Sequence, residues 1–184
     1  FVSRLREALA ENPEVASVRH DLKAFWEGNE ATDIVHLQWP RALFSKWHDP
    51  EPEEVADLEE RLRVWSDQAA VVTTVHNIRA HDRSKSALFD RLYGLVYRYT
   101  DGFIHMGRAS QRLLHETYDL SEKEEVVIPH GRYDTLPNKV SRQQARQTLG
   151  ISPTAALTLV FGALRDPSEL TLVLDGTDRW STPQ

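Results

Sequence analysis

The sequence predicts an α/β chain: a doubly wound, Rossmann-like parallel sheet followed by the stump of a second α/β domain. Three observations lead there. Short, β-branched apolar runs alternate with longer amphipathic stretches along the chain. The runs are nearly continuous in apolar residues, the pattern of strands covered on both faces by helices. Their strand–helix–strand order calls for parallel pairing through right-handed crossovers.

Taken in order, residues 3–10 place Leu5 and Leu9 at i, i+4 and predict a first helix. The run 33–39 (DIVHLQW) predicts the first strand. Residues 52–68 set Val55, Leu58, Leu62 and Trp65 on one stripe, with Pro52 opening the helix and Glu53 and Glu54 in its first turn. A strand over 69–76 (AAVVTTVH) follows, then a helix over 85–99 with a wide apolar face of Leu88, Leu92, Leu95, Val96 and Tyr99. Residues 101–106 (DGFIHM) read as a strand, 108–118 as a helix and 125–129 (EVVIP) as a strand. A polar helix over 141–149 has Ser141 as its cap and Gly150 just past its end. The runs 157–161 (LTLVF) and 170–174 (LTLVL) predict two more strands. Gly150 and Pro153 mark a connector, which sets the expected domains at 1–150 and 151–184.

Composition narrows the function classes. The 184 residues are 40% hydrophobic and 27% charged, an ordinary globular balance. The net charge of −6, from 28 acidic against 22 basic side chains, argues against a nucleic-acid partner, which would call for a basic stripe. With no cysteine, disulfide scaffolds, zinc ribbons and thiol nucleophiles are excluded. No apolar run approaches the ~20 residues of a spanning helix, and no signal-peptide core opens the chain. The expectation is a soluble, cytoplasmic protein. Walker A, GxGxxG, GxSxG and HExxH patterns are all lacking, so no metal and no bound cofactor are expected.

Open α/β sheets bind ligands beyond the carboxyl ends of their strands. There the sequence places Gln38 and Trp39, then His76, Asn77, Arg79, His81 and Asp82, then His130 and Gly131. Each has a purely structural reading. His76 can bond a backbone carbonyl while Asn77 starts a turn, and His81 with Asp82 can be a surface residue and a helix cap. His130-Gly131 can be a plain turn in which the glycine supplies a positive φ. Trp39 can be a rim aromatic, and His105, on an apolar strand, a core histidine.

The series "DIVHLQWP", "VVTTVHNIRAHD", "TDGFIHMGRAS", "VVIPHGRYD" and "NKVSRQQARQTLGI…LTLVFGALR" resembles the amino-terminal half of GT-B glycosyltransferases. It is most similar to bacterial mannosyl- and glucuronosyltransferases of polysaccharide assembly, over residues 1–165. The resemblance implies an acceptor-side domain facing a donor-binding domain across a cleft. It implies a nucleotide-sugar as co-substrate, a saccharide or lipid-linked acceptor, and peripheral contact with the cytoplasmic membrane. By the same resemblance His76 matches the T-V-H-N histidine beside the transferred sugar, with Asn77 and His81 in the same loop. Asp82 matches the acidic residue that closes that loop, and is the expected base. His130 and Gly131 match the I-P-[NH]-G turn, and Arg165 matches a basic residue near the donor diphosphate.

Two departures from the family pattern stand out. The chain opens in a helix rather than a strand, and Asp-Pro-Ser-Glu follows Arg165 where the family has a lysine-glycine element. The E-x7-E-type donor motif is missing, so the chain alone is expected to be inactive. The alternative is a non-catalytic Rossmann-like binding or scaffold module.

Overall fold

The computed structural model describes residues 2–28, 31–44, 50–78, 86–131, 139–162, 164 and 167–180. Two compact units divide the chain, Phe1–Arg132 and Tyr133–Gln184. Within the second unit the helix before Gly150 is tied to the segment after it. There the buried Arg146 donates to Ser152 O at 2.5 Å and Pro153 O at 3.3 Å.

The first unit contains helices α1 (Val2–Ala10) and α2 (Leu22–Glu27), strand β1 (Ile34–Leu37) and a 3₁₀ turn at Pro40–Leu43. Then come α3 (Pro52–Ser66), β2 (Ala70–Val75), α4 (Ser86–Tyr99), β3 (Gly102–His105), α5 (Arg108–His115) and β4 (Glu124–Val127). The second unit holds α6 (Arg142–Thr148) and α7 (Pro167–Trp180). The α3 start is fixed by Pro52 and a capping box in which Glu51 N–H donates to Glu54 Oε2 at 2.7 Å. Ser141 caps α6 through the same device with Gln144, and Gly150 follows it at φ +68°.

The four strands form one all-parallel sheet in the order β1-β2-β3-β4, a Rossmann-like arrangement. The predicted stripe is the core: Val55, Leu58 and Leu62 are fully buried and Trp65 nearly so. Phe25 of α2 stacks on Trp65, whose indole N–H donates to Phe25 O at 2.9 Å. Arg61 lies over the Trp65 ring at 4.4 Å.

Helices on both faces of the sheet were expected, and the described residues correct this. Each crossover steps to the next strand in the same direction, so right-handed connections lay their helices on one face. Tyr97 of α4 meets Phe103 at 5.6 Å, and Gln111 and His115 of α5 meet Glu125, residues that pair across β3 and β4 on that same face. α3 packs beside α4. On the opposite face Ile34 is 60% and Val126 47% exposed.

Both strands expected in the second unit are corrected as well. Residues 157–161 have no regular secondary structure and are exposed, since a strand needs a ladder partner and none pairs with them among the described residues. Residues 170–174 lie in α7, whose start is set by Pro167 and by Glu169 in the first turn. A five-residue apolar run cannot by its period distinguish strand from helix; the flanking start signal decides.

Candidate functional site

The strands deliver their polar residues to the carboxyl edge with a period of two. His36 and Gln38 share one face of the first strand and its exit, and Thr74 and His76 share that face of the second. Parallel pairing of β1 with β2, Leu37 beside Thr73, brings the two pairs together. Gln38 then sits between two histidines. Its Nε2 lies 2.9 Å from His36 Nε2, and its Oε1 lies 2.8 Å from His76 Nε2. Thr74 Oγ1 lies 2.8 Å from His36 Nε2 and accepts from Gln38 Nε2 at 3.4 Å. The Trp39 ring stacks on His76 with centroids 4.2 Å apart.

Burial holds the His36 ring below the usual histidine range. His76 is also lowered, first by burial and then by the neighbouring His130 and His36 rings. Both imidazoles are therefore neutral at physiological pH. A neutral ring against an indole face offers an apolar surface together with polar nitrogens, which suits a polyhydroxylated ligand better than a charged one.

α4 fixes the loop that follows. Tyr97 donates its hydroxyl to Asn77 O at 2.9 Å, and Tyr93, one turn earlier, packs edge-on against the Tyr97 ring. Burial pushes both phenols upward, so they remain protonated.

Of the residues singled out in the sequence, His76, Asn77 and Trp39 come together at this edge. His130 is close enough to influence His76, and its Nδ1 lies 2.9 Å from Gly131 O. Gly131 is exposed and does not adopt a positive φ; among the described residues the left-handed glycines are Gly150 and Gly162. His81, Asp82 and Arg165 lie outside the described residues. His76 Nε2 hydrogen-bonds the Gln38 side chain.

Sequence reasoning passed over His36 and Thr74. The available signal was the i, i+2 spacing of polar residues at two successive strand ends.

A second polar cluster lies under α5. Glu125 bridges His105 Nε2 and His115 Nε2, each at 2.7 Å, with Gln111 at 3.4 Å. Burial raises the Glu125 carboxyl, but the hydrogen bonds from His105, His115 and Gln111 outweigh it and hold the group below its ordinary value. His105 is the buried core histidine expected, with its Nδ1 lacking a partner among the described residues. No group of three His, Asp or Glu side chains among the described residues is placed to hold a metal ion.

Two clefts open elsewhere. One, of about 330 Å³, is lined by Glu59, Arg91, Gly94, Leu95, Arg98 and Tyr118; the other, of about 490 Å³, lies along residues 115–121. In the lining of the first, Arg91 and Arg98 pair with Glu59 at 3.8 and 3.3 Å. Neither carries the chemistry of the strand-end cluster. No helix among the described residues is long and apolar enough to cross a membrane. No family model, curated protein or solved structure matches the chain.

Proposed function

We propose that the chain carries the acceptor-side domain of a GT-B-type glycosyltransferase, which moves a sugar from a nucleotide-sugar to a saccharide or lipid-linked acceptor. One observation carries this reading: the neutral His36–Gln38–His76 array, with Trp39 stacked on His76, at the carboxyl edge of β1 and β2. In this reading the ligand is received at the carboxyl edge of the strands, where open α/β sheets bind ligands.

Glycosyl transfer needs a base for the acceptor hydroxyl, positive groups for the departing diphosphate and a cleft that excludes water. The acceptor proton passes to the base and the oxygen's electron pair bonds the anomeric carbon. The diphosphate leaves with the electrons of the broken bond. Asp82 takes the base role by resemblance, and His76 lies against the transferred sugar. By the same resemblance Arg165 serves the diphosphate.

The test is a mass-spectrometric transfer assay with a panel of nucleotide-sugars and saccharide or lipid-linked acceptors. Product is expected from the complete enzyme. Asp82→Asn should lower turnover by ~10²–10⁴-fold with donor affinity retained, whereas His76→Ala should weaken both. Ligand binding without transfer would favour the binding-module alternative. Neither binding nor transfer across the panel would refute the proposal.

A further inference from the structure

We infer that Gln38 is a positioning residue: its one amide holds His36 and His76 in opposite tautomers and so fixes which nitrogen of His76 accepts a proton. A side-chain amide nitrogen can only donate and its oxygen can only accept. Gln38 Nε2 stands 2.9 Å from His36 Nε2, so that ring nitrogen carries no proton and His36 is the Nδ1–H form. The Thr74 hydroxyl, 2.8 Å from the same nitrogen, is then its second donor. Gln38 Oε1 stands 2.8 Å from His76 Nε2, so this nitrogen carries the proton and His76 is the Nε2–H form.

Polarity thus runs one way through the array, from Gln38 and Thr74 into His36 and from His76 into Gln38. The partner of one ring nitrogen decides the state of the other, so the lone pair of His76 lies on Nδ1 and a proton taken up by that ring enters there. The Trp39 ring stacks on the same imidazole, with centroids 4.2 Å apart. Reversing the amide would place its NH₂ against His76 and its oxygen against His36, with the Thr74 hydroxyl then forced to accept; one amide cannot serve both rings in the same tautomer.

The consequence for transfer rests on the glycosyltransferase reading. The tautomer assignment does not.

Nitrogen-15 NMR on the full chain near pH 7.5 reads the states directly, through long-range proton–nitrogen correlations of each ring. His36 is expected to show a pyridine-type Nε2 with a protonated Nδ1, the less common form of a free imidazole, and His76 the reverse. Gln38→Glu puts an acceptor at both positions. His36 should then switch to a protonated Nε2, and His76 should hold its proton to higher pH than in the wild type. Two rings in the same tautomer in the wild type would overturn the inference, and that measurement needs no variant to fold. A His36 unchanged in a folded Gln38→Glu protein would also overturn it. Opposite tautomers in a protein that transfers no sugar would leave Gln38's role standing and remove only the glycosyltransferase reading.

Discussion

Tyr97→Phe removes one hydroxyl and keeps a ring, so it isolates the bond that ties the site to the core. The Tyr97 ring is 2% exposed and meets Tyr93, Phe103 and Tyr118 edge-on, with centroids 5.9, 5.6 and 5.0 Å away. None of those contacts depends on the oxygen, and all should survive in the variant. What is lost is the donation to Asn77 O at 2.9 Å. A neutral hydrogen bond contributes ~0.5–1.5 kcal/mol net, and an acceptor left buried without a partner costs ~1–3 kcal/mol. Asn77 is half-buried, so water reaches the carbonyl in part and the lower end of the penalty applies. The expected loss is therefore about 1–1.5 kcal/mol. Urea unfolding should show this as a midpoint lowered by roughly 0.5–1 M at unchanged slope, for a slope of ~1.5–2 kcal/mol/M. The backbone amide signals of His76 and Asn77 should shift while those of the α3 core stay in place. A loss under ~0.3 kcal/mol with those two signals unmoved would refute the claim that α4 holds the loop. A loss above ~3 kcal/mol would show that ring packing had been disturbed instead.

Other outcomes follow from the same structure. Leu62→Ala, at a fully buried position between α3 and the sheet, should cost ~2–5 kcal/mol in urea unfolding. The His36 and His76 rings lie below an unfolded histidine's value near 6.5, so between the two values the unfolded chain binds more protons. Stability should be full above about pH 6.5 and decline as the pH falls from there; equal urea midpoints at about pH 7.5 and pH 5.5 would contradict this. Glu125→Gln should cost ~1.5–3 kcal/mol, because a charge-assisted acceptor shared by two histidines becomes an amide that cannot accept at both ends. His115→Ala, whose ring is 45% exposed, should cost less than about 1 kcal/mol; thermal unfolding ranks the two.

The first four strands and helices α3, α4 and α5 were legible because their signals are local. Val55, Leu58, Leu62 and Trp65 repeat with the helical period, Pro52 opens the helix, and the strands between are short and β-branched. α2 was not legible: six residues give too little period, and Phe25 and Trp26 are held by α3 and the 3₁₀ turn rather than by their own pattern. Residues 157–161 look like a strand because LTLVF has the right composition, but composition does not supply a ladder partner. One-sided coverage escaped for a different reason. A strand's apolar run records that both faces avoid water in part, not which strand lies beside it, and strand order decides where the crossovers go.

The site shows the same division between local and long-range information. That His76 and Gln38 lie at strand ends is readable from the chain; that they bond each other is not, because it depends on the register that sets Leu37 beside Thr73. A slip of one residue would send His36 and Gln38 to the opposite face and leave Thr74 and His76 without them. That register is held by apolar residues on the helix side: Leu37, Val71 and Val75 are buried there, and Thr73 bonds Thr100 at 2.7 Å. The polar array on one face is thus positioned by the packing on the other. α4 serves both ends of this arrangement, since Tyr97 packs on Phe103 inside the core and donates to Asn77 at the rim. Substitutions in the core should therefore register at the strand-end loop as well, through the Tyr97–Asn77 hydrogen bond.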